Sequence, residues 1–258
     1  MKFIVLIGIF FLAACSNTVT NDQDTDFIED CDFIETDAET VDEDEISICE
    51  ELEAVLQKHI NTEGESGKAI GLIVRMESPD VSETCTFGSK VKDAEVKPTG
   101  DEQWVIGSVS KMLTSFILTQ KAVDDGKILE DPAENYLPEN WSVPSGSGGK
   151  KFTMINLMTH TSGLPHYPKT LQESIDNVGS LEDMYAAWED YTINDLESDL
   201  SKTTLSFDPG TEYQYSDFGF ALVQKAGEML YEKTFPEMLA EFSELLGLEN
   251  TVVPENLS

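Results

Sequence analysis

The segment from Trp104 to Gly126, W-V-I-G-S-V-S-K-M-L-T-S-F-I-L-T-Q-K-A-V-D-D-G, constrains the fold more than any other part of the chain. Val109, Met112, Leu113, Phe116, Ile117 and Val123 recur at helical spacing, and Asp124-Asp125-Gly126 supplies a stop. The pattern predicts a mostly buried helix, entered through the turn-capable pair Ile106-Gly107. A helix of that kind needs a core around it, so the domain has to be built on it. Its first turn carries Ser108 and Lys111. Positions i and i+3 share a helix face, which sets the hydroxyl beside the ammonium. First-turn N–H groups lack intrahelical partners, and the positive end of the helix dipole favours negative charge there. A serine so placed has an amine to take its proton and an electropositive backbone beside it. Taken alone, S-x-x-K is also what a helix-start serine with a solvated lysine looks like.

Two later stretches change the weight of that pair. K-F-T-M-I-N-L-M-T-H-T-S-G-L-P occupies 151–165, and D-P-G-T-E-Y-Q-Y-S-D-F-G-F-A-L-V occupies 208–223. With I-G-S-V-S-K, these ordered segments resemble the motifs of the serine penicillin-recognising family, in particular its class C β-lactamase-like branch. The resemblance implies an α+β, β-lactamase/transpeptidase-like fold. That fold has a helical subdomain and an antiparallel sheet, of which this sequence carries only the N-terminal strands. It implies acyl transfer through a covalent intermediate, with Ser108 as nucleophile and Lys111 helping to remove its proton. Tyr215 is then the second member of the proton-transfer group. Tyr213 is its rival, but the family sets tyrosine directly before serine, and Ser216 follows Tyr215.

Two departures from the family pattern qualify the reading. Asp217 stands where the family has asparagine beside the substrate. A carboxylate can only accept, pairs with Lys111, raises that lysine's pKa and repels anionic substrates. This favours neutral esters or amides over β-lactams. The third family motif is a lysine or histidine, a small residue and glycine on a late strand. Its textual match here, Lys225-Ala226-Gly227, falls inside a helical pattern. By the resemblance, that late strand supplies the second oxyanion donor, so the chain reads as a weakly active family member lacking its C-terminal strands. The competing expectation is a non-catalytic surface lipoprotein that binds through the residual cleft. His160 and Ser162, inside T-H-T-S-G, are expected to shape a turn beside the cleft.

The N-terminal region reads differently. An apolar run from Phe3 to Ala14 ends in Leu12-Ala13-Ala14-Cys15, too short for a spanning helix and suited to a secretory signal. Small residues before a cysteine resemble a lipobox, which implies a lipid on Cys15. Ser16 beside it resembles outer-membrane sorting in the bacterial cell envelope. Between Asn21 and Glu53 sixteen acidic residues occur with no Lys or Arg, so 16–48 is expected to be a solvated acidic tether between a signal at 1–15 and a domain at 49–258. The formal net charge of −34 argues against nucleic-acid partners and adhesion to anionic headgroups. With lipidated Cys15 set aside, Cys31, Cys49 and Cys85 allow one disulfide in an oxidising compartment, either Cys31–Cys49 or Cys49–Cys85. Neither a metal-ligand spacing nor a cofactor fingerprint occurs, and the expected partner is a small ester, amide or peptide bound by a monomer. Ahead of the S-x-x-K helix, residues 50–60 read as an amphipathic helix, and 69–76 and 84–91 as a hairpin.

Overall fold

The hairpin consists of β1 (Gly71–Glu77) and β2 (Ser82–Gly88), antiparallel, with Leu72 opposite Phe87 and Val74 opposite Cys85. These coordinates are a computed structural model that describes residues 47–60, 69–79, 82–103, 105–127, 129–248 and 250–253. The signal, nearly all of the tether, Cys15 and Cys31 lie outside the described residues. The described residues divide into two compact units, 47–103 and 105–253.

In the first unit, alternation along the strands turns Leu72, Val74, Cys85 and Phe87 to one face. There they meet Leu52, Leu56 and Ile60, and so the apolar side of α1 (Ile48–Leu56) covers the hairpin. A two-stranded ribbon is marginal by itself, and this cover gives it a core. The helix begins two residues earlier than its apolar spacing predicts, because Ser47 and Glu50 form a reciprocal capping box. Cys49 of α1 is disulfide-bonded to Cys85 of β2, one of the two pairings left open by the sequence. The second strand stops at Gly88, short of the expected Val91, because Gly88 takes φ +69. A Cβ there would lie 2.5 Å from the Ile70 carbonyl oxygen, so only glycine permits this exit.

The second unit is helical among its described residues. It contains α2 (Ser110–Asp124), α3 (Met154–Met158), α4 (Lys169–Ile175), α5 (Leu181–Asp190), α6 (Ile193–Lys202), α7 (Asp217–Tyr231) and α8 (Phe235–Leu246). Its core is centred on α7, where Phe218, Leu222, Val223 and Ala226 are fully buried. They pack with Leu118 of α2, Met154 and Leu157 of α3, Leu196 and Leu200 of α6, and the loop residues Phe152 and Leu164. A second cluster joins Ile117 to Met238, Leu239 and Phe242 of α8. Thr192 and Thr234 open α6 and α8 with capping boxes, and Gly247 closes α8 in the left-handed region.

Two expectations for α2 need correction. Ser108 sits in a 3-10 turn, Gly107–Val109, that leads into the α-helix at Ser110 rather than in the helix's own first turn. Nor is the helix mostly buried. Ile117, Leu118 and Ala122 are enclosed, whereas Met112 and Phe116 are 63% and 54% exposed, and Val109 and Val123 are exposed as well. The apolar residues wrap wider than one face, and the described elements cover only the side toward α7 and α8. The predicted glycine stop is present: Gly126 has φ +63, and the Lys127 N–H donates to the Ala122 carbonyl.

Candidate active site

The site is assembled by two loops that run alongside each other. One follows α3 and carries Thr159–His166; the other, Ser206–Ser216, leads into α7. Ser206 N–H donates to the Gly163 carbonyl, Gly210 N–H to Thr161 and Gln214 N–H to His160. The approach is close: Gly163 has φ +84, and a Cβ on it would stand 2.4 Å from the Phe207 oxygen. Ser216 finishes the assembly as the N-cap of α7. Its Oγ accepts from Gly219 N–H at 2.9 Å and donates to the Pro165 carbonyl at 2.7 Å. A residue one position before such a doubly anchored cap has little freedom, and that residue is Tyr215. Ser162, buried in the other loop, accepts from Leu164 N–H at 3.3 Å and serves as a turn residue.

Tyr215 Oη donates to Ser108 Oγ at 2.6 Å across a sequence separation of 107 residues. Lys111 Nζ donates to the same oxygen at 3.0 Å. Three residues named from the sequence, Ser108, Lys111 and Tyr215, thus converge on one atom. Tyr213 does not join them; it is 67% exposed and packs edge-on against His160. Lys225 lies on α7 within 3.4 Å of Glu228, away from the Ser108 pocket, and only α7 and α8 follow Tyr215 as regular elements among the described residues.

Asp217, the first residue of α7, places Oδ1 2.6 Å from Lys111 Nζ and Oδ2 3.3 Å from His166 Nε2. The contact with Lys111 is an ion pair without aligned hydrogen-bond geometry, since the buried Oδ1 has no directed donor. Lysine burial acts to lower the Lys111 pKa, but its contacts with Asp217 and Tyr215 outweigh burial, and the net shift is upward. The ammonium also lies 5.0 Å from the Tyr215 ring centre and 5.6 Å from that of Phe220. His160 shifts the other way. Burial is the main cause and Lys111 the next, and together they hold its imidazole below the usual histidine value.

Beside these groups lies a cavity of about 530 Å³, lined by Ser108, Lys111, Met112, Phe116, Met158 and Phe220, among others. Lys111 is its one fully charged lining side chain. Sequence reasoning missed His166, whose ring stacks on Tyr167 at 3.9 Å and meets Tyr215 edge-on at 5.3 Å. Nothing in its local spacing marks it. It arrives because its carbonyl accepts from the N–H groups of Asp217 and Phe218 at the start of α7.

Comparison with known proteins gives a consistent result. The family model described as Beta-lactamase matches residues 71–257. A D-alanyl-D-alanine-carboxypeptidase/endopeptidase, AmpH of Escherichia coli, is 29% identical over 168 residues, covering 64% of this chain and 40% of its own. A Beta-lactamase of Pseudomonas fluorescens is 29% identical over 189 residues, 71% of this chain and 46% of its own. The chain therefore spans less than half the length of these curated relatives. Among solved structures, a Beta-lactamase/D-alanine Carboxypeptidase from Yersinia pestis superposes with a TM-score of 0.63 at 23% identity, over 81% of this chain and 56% of that one. A D-stereospecific amidohydrolase from Streptomyces sp. gives 0.62 at 23% identity, over 78% and 56%. These two likenesses establish the fold.

Proposed function

The chain belongs to the beta-lactamase family, and on that premise we propose that it is a serine acyl hydrolase working through an acyl-enzyme on Ser108. The observation that carries the reading is the meeting of Lys111 Nζ and Tyr215 Oη on Ser108 Oγ. In acylation, Ser108 Oγ attacks the substrate carbonyl carbon and its proton passes into the Lys111–Tyr215 pair. When the tetrahedral intermediate collapses, the C–O or C–N bond breaks and the pair returns the proton to the leaving alkoxide or amine. Water then enters, gives a proton to the same pair, and releases the acid with Ser108 restored. Lys111 must be neutral to accept a proton, so the Asp217 carboxylate, which favours the ammonium, moves the reaction toward alkaline pH. The same carboxylate supports neutral esters and amides over anionic β-lactams as substrates.

By family resemblance the oxyanion is held by the Ser108 N–H and by a second donor on a strand after the tyrosine motif, and removing one such donor costs about 10²–10³ in rate. The lipobox at Leu12–Cys15 and the acidic stretch behind it support an exported, lipid-anchored protein held off the envelope by a tether. Its monomeric state is part of the same proposal. Intact-mass detection of acylation by a p-nitrophenyl ester and a penicillin in parallel tests the enzymatic reading. An adduct lost in Ser108→Ala supports it; an adduct that persists in Ser108→Ala refutes it. The Lys111–Asp217 ion pair favours a second reading, a binding module with the base held charged. Ester turnover that disappears in Ser108→Ala rules that reading out.

A further inference from the structure

His160 holds an unusual backbone position. Its φ of +57 lies in the left-handed region, which few residues other than glycine adopt, though histidine does so more readily than most. Strain of this kind persists where the surroundings over-determine it. Here the His160 N–H donates to the Leu157 carbonyl, and the neighbouring Thr161 N–H donates to Asn156. The conformation directs two acceptors of one residue at the two neighbours of Tyr215. The His160 carbonyl accepts from Gln214 N–H at 2.9 Å, and Nδ1 accepts from Ser216 N–H at 3.0 Å. Between those two bonds the imidazole lies against the Tyr215 ring, with centroids 4.4 Å apart and planes tilted by 30°. Phe220 packs against the same imidazole, its ring centre 5.2 Å away.

We infer that His160 is a positioning residue: as a neutral hydrogen-bond acceptor it clamps the backbone on both sides of Tyr215 and so holds that tyrosine's hydroxyl on Ser108 Oγ. This rests on the role proposed above for Tyr215. It goes further by assigning histidine in T-H-T-S-G a protonation-dependent task, where a turn former would have none. An Nδ1 that accepts from an amide cannot also carry a proton. Once the ring is an imidazolium, Nδ1–H faces Ser216 N–H, the clamp opens on that side, and the tyrosine loses its fixed aim. The groups facing the ring are Lys111 on α2, His166 on the loop after α3, Tyr213 and Tyr215 on the loop before α7, and Asp217 at the start of α7. Burial and Lys111 disfavour its charged form, so the clamp stays closed at neutral pH and opens on acidification below the ordinary histidine value of 6.5.

Two substitutions separate positioning from mere packing. His160→Asn retains a side-chain acceptor, tolerates the left-handed backbone and cannot titrate. His160→Phe keeps the ring against Tyr215 but offers no acceptor. Ester acylation of Ser108 is followed by intact mass between about pH 5 and pH 8, where an imidazole titrates. Acidification lowers acylation in every protein through Lys111, and in the wild type the fall is expected to steepen where His160 takes up its proton. His160→Phe should acylate about tenfold more slowly at neutral pH with an unchanged KM, the loss of one hydrogen bond. His160→Asn should recover most of that loss and keep only the fall with acidification that Lys111 sets. The 15N–1H resonance of Ser216 is a readout that does not need turnover: it should titrate below pH 6.5 in the wild type and stay still in His160→Asn. A Ser216 resonance indifferent to pH, or a His160→Phe protein with the wild-type rate and profile, overturns the inference. Absence of Ser108 acylation in all proteins would instead count against the hydrolase reading, and the Ser216 titration would still decide the clamp.

Discussion

Asp217→Asn is the substitution that bears most directly on the chemistry. The carboxylate and the Lys111 ammonium are 2.6 Å apart, with side chains 29% and 17% exposed. At an effective dielectric constant near 20, that separation corresponds to about 6 kcal/mol of Coulomb attraction, most of it offset by desolvation. Asparagine keeps an acceptor oxygen in place and removes the charge. Removing an opposite charge at this distance withdraws at least about 1.4 kcal/mol of support from the ammonium. That is about a factor of ten in favour of the neutral amine. Acylation by a neutral ester, measured by stopped release of nitrophenolate across a pH series, should rise about tenfold at neutral pH. The two profiles should converge at alkaline pH, where both lysines are neutral. The stability effect runs opposite. A lysine whose pKa is raised on folding stabilises the fold below its unfolded value of 10.5 and loses that contribution as pH rises through the folded value. The variant should therefore melt lower than the wild type at neutral pH, and the gap should close at high pH. A variant that acylates no faster, on an unshifted profile, would refute Lys111 as the proton acceptor.

Tyr215→Phe should slow acylation by about 10²-fold, the lower range for a positioned proton-transfer group, while Tyr213→Phe leaves the rate unchanged; equal effects would dissolve the distinction between the two tyrosines. Gly163→Ala forces a Cβ to within 2.4 Å of the Phe207 oxygen at φ +84, and thermal denaturation should show a loss of about 1–3 kcal/mol. Cys85→Ala removes a crosslink that spans a sequence separation of 36, so the first unit should lose about 4 kcal/mol by chemical denaturation, with no change in Ser108 reactivity.

The parts of the fold legible in the sequence are those governed by short-range spacing. The stop at Gly126, the presence of a hairpin ahead of α2 and the placement of Ser108 three residues from Lys111 all follow from periodicity and local turn chemistry. Boundaries moved where a cap outranked apolar pattern, as Ser47 did for α1, or where a glycine left the extended region, as Gly88 did for β2. The exposed stripe on α2 has a related cause. Periodicity shows that Met112 and Phe116 are apolar, but burial depends on whether another element lies over them.

What the sequence by itself determined is the chemical vocabulary of this protein: a serine and a lysine one helical turn apart, a tyrosine directly before a serine, and a carboxylate in a place where the family has an amide. Each of these is encoded within a few residues, where backbone geometry leaves little choice. Only the tertiary structure decided that Tyr215 Oη reaches Ser108 Oγ, that His166 stands beside Asp217, and that His160 grips both neighbours of Tyr215. Those contacts join segments tens of residues or more apart, and they form because the packing of α7 against α2 and α3 brings the loops together. No local preference specifies such a meeting; it is the sum of many weak burials, each non-directional, resolved into one arrangement by the few hydrogen bonds between loops that have geometry to enforce.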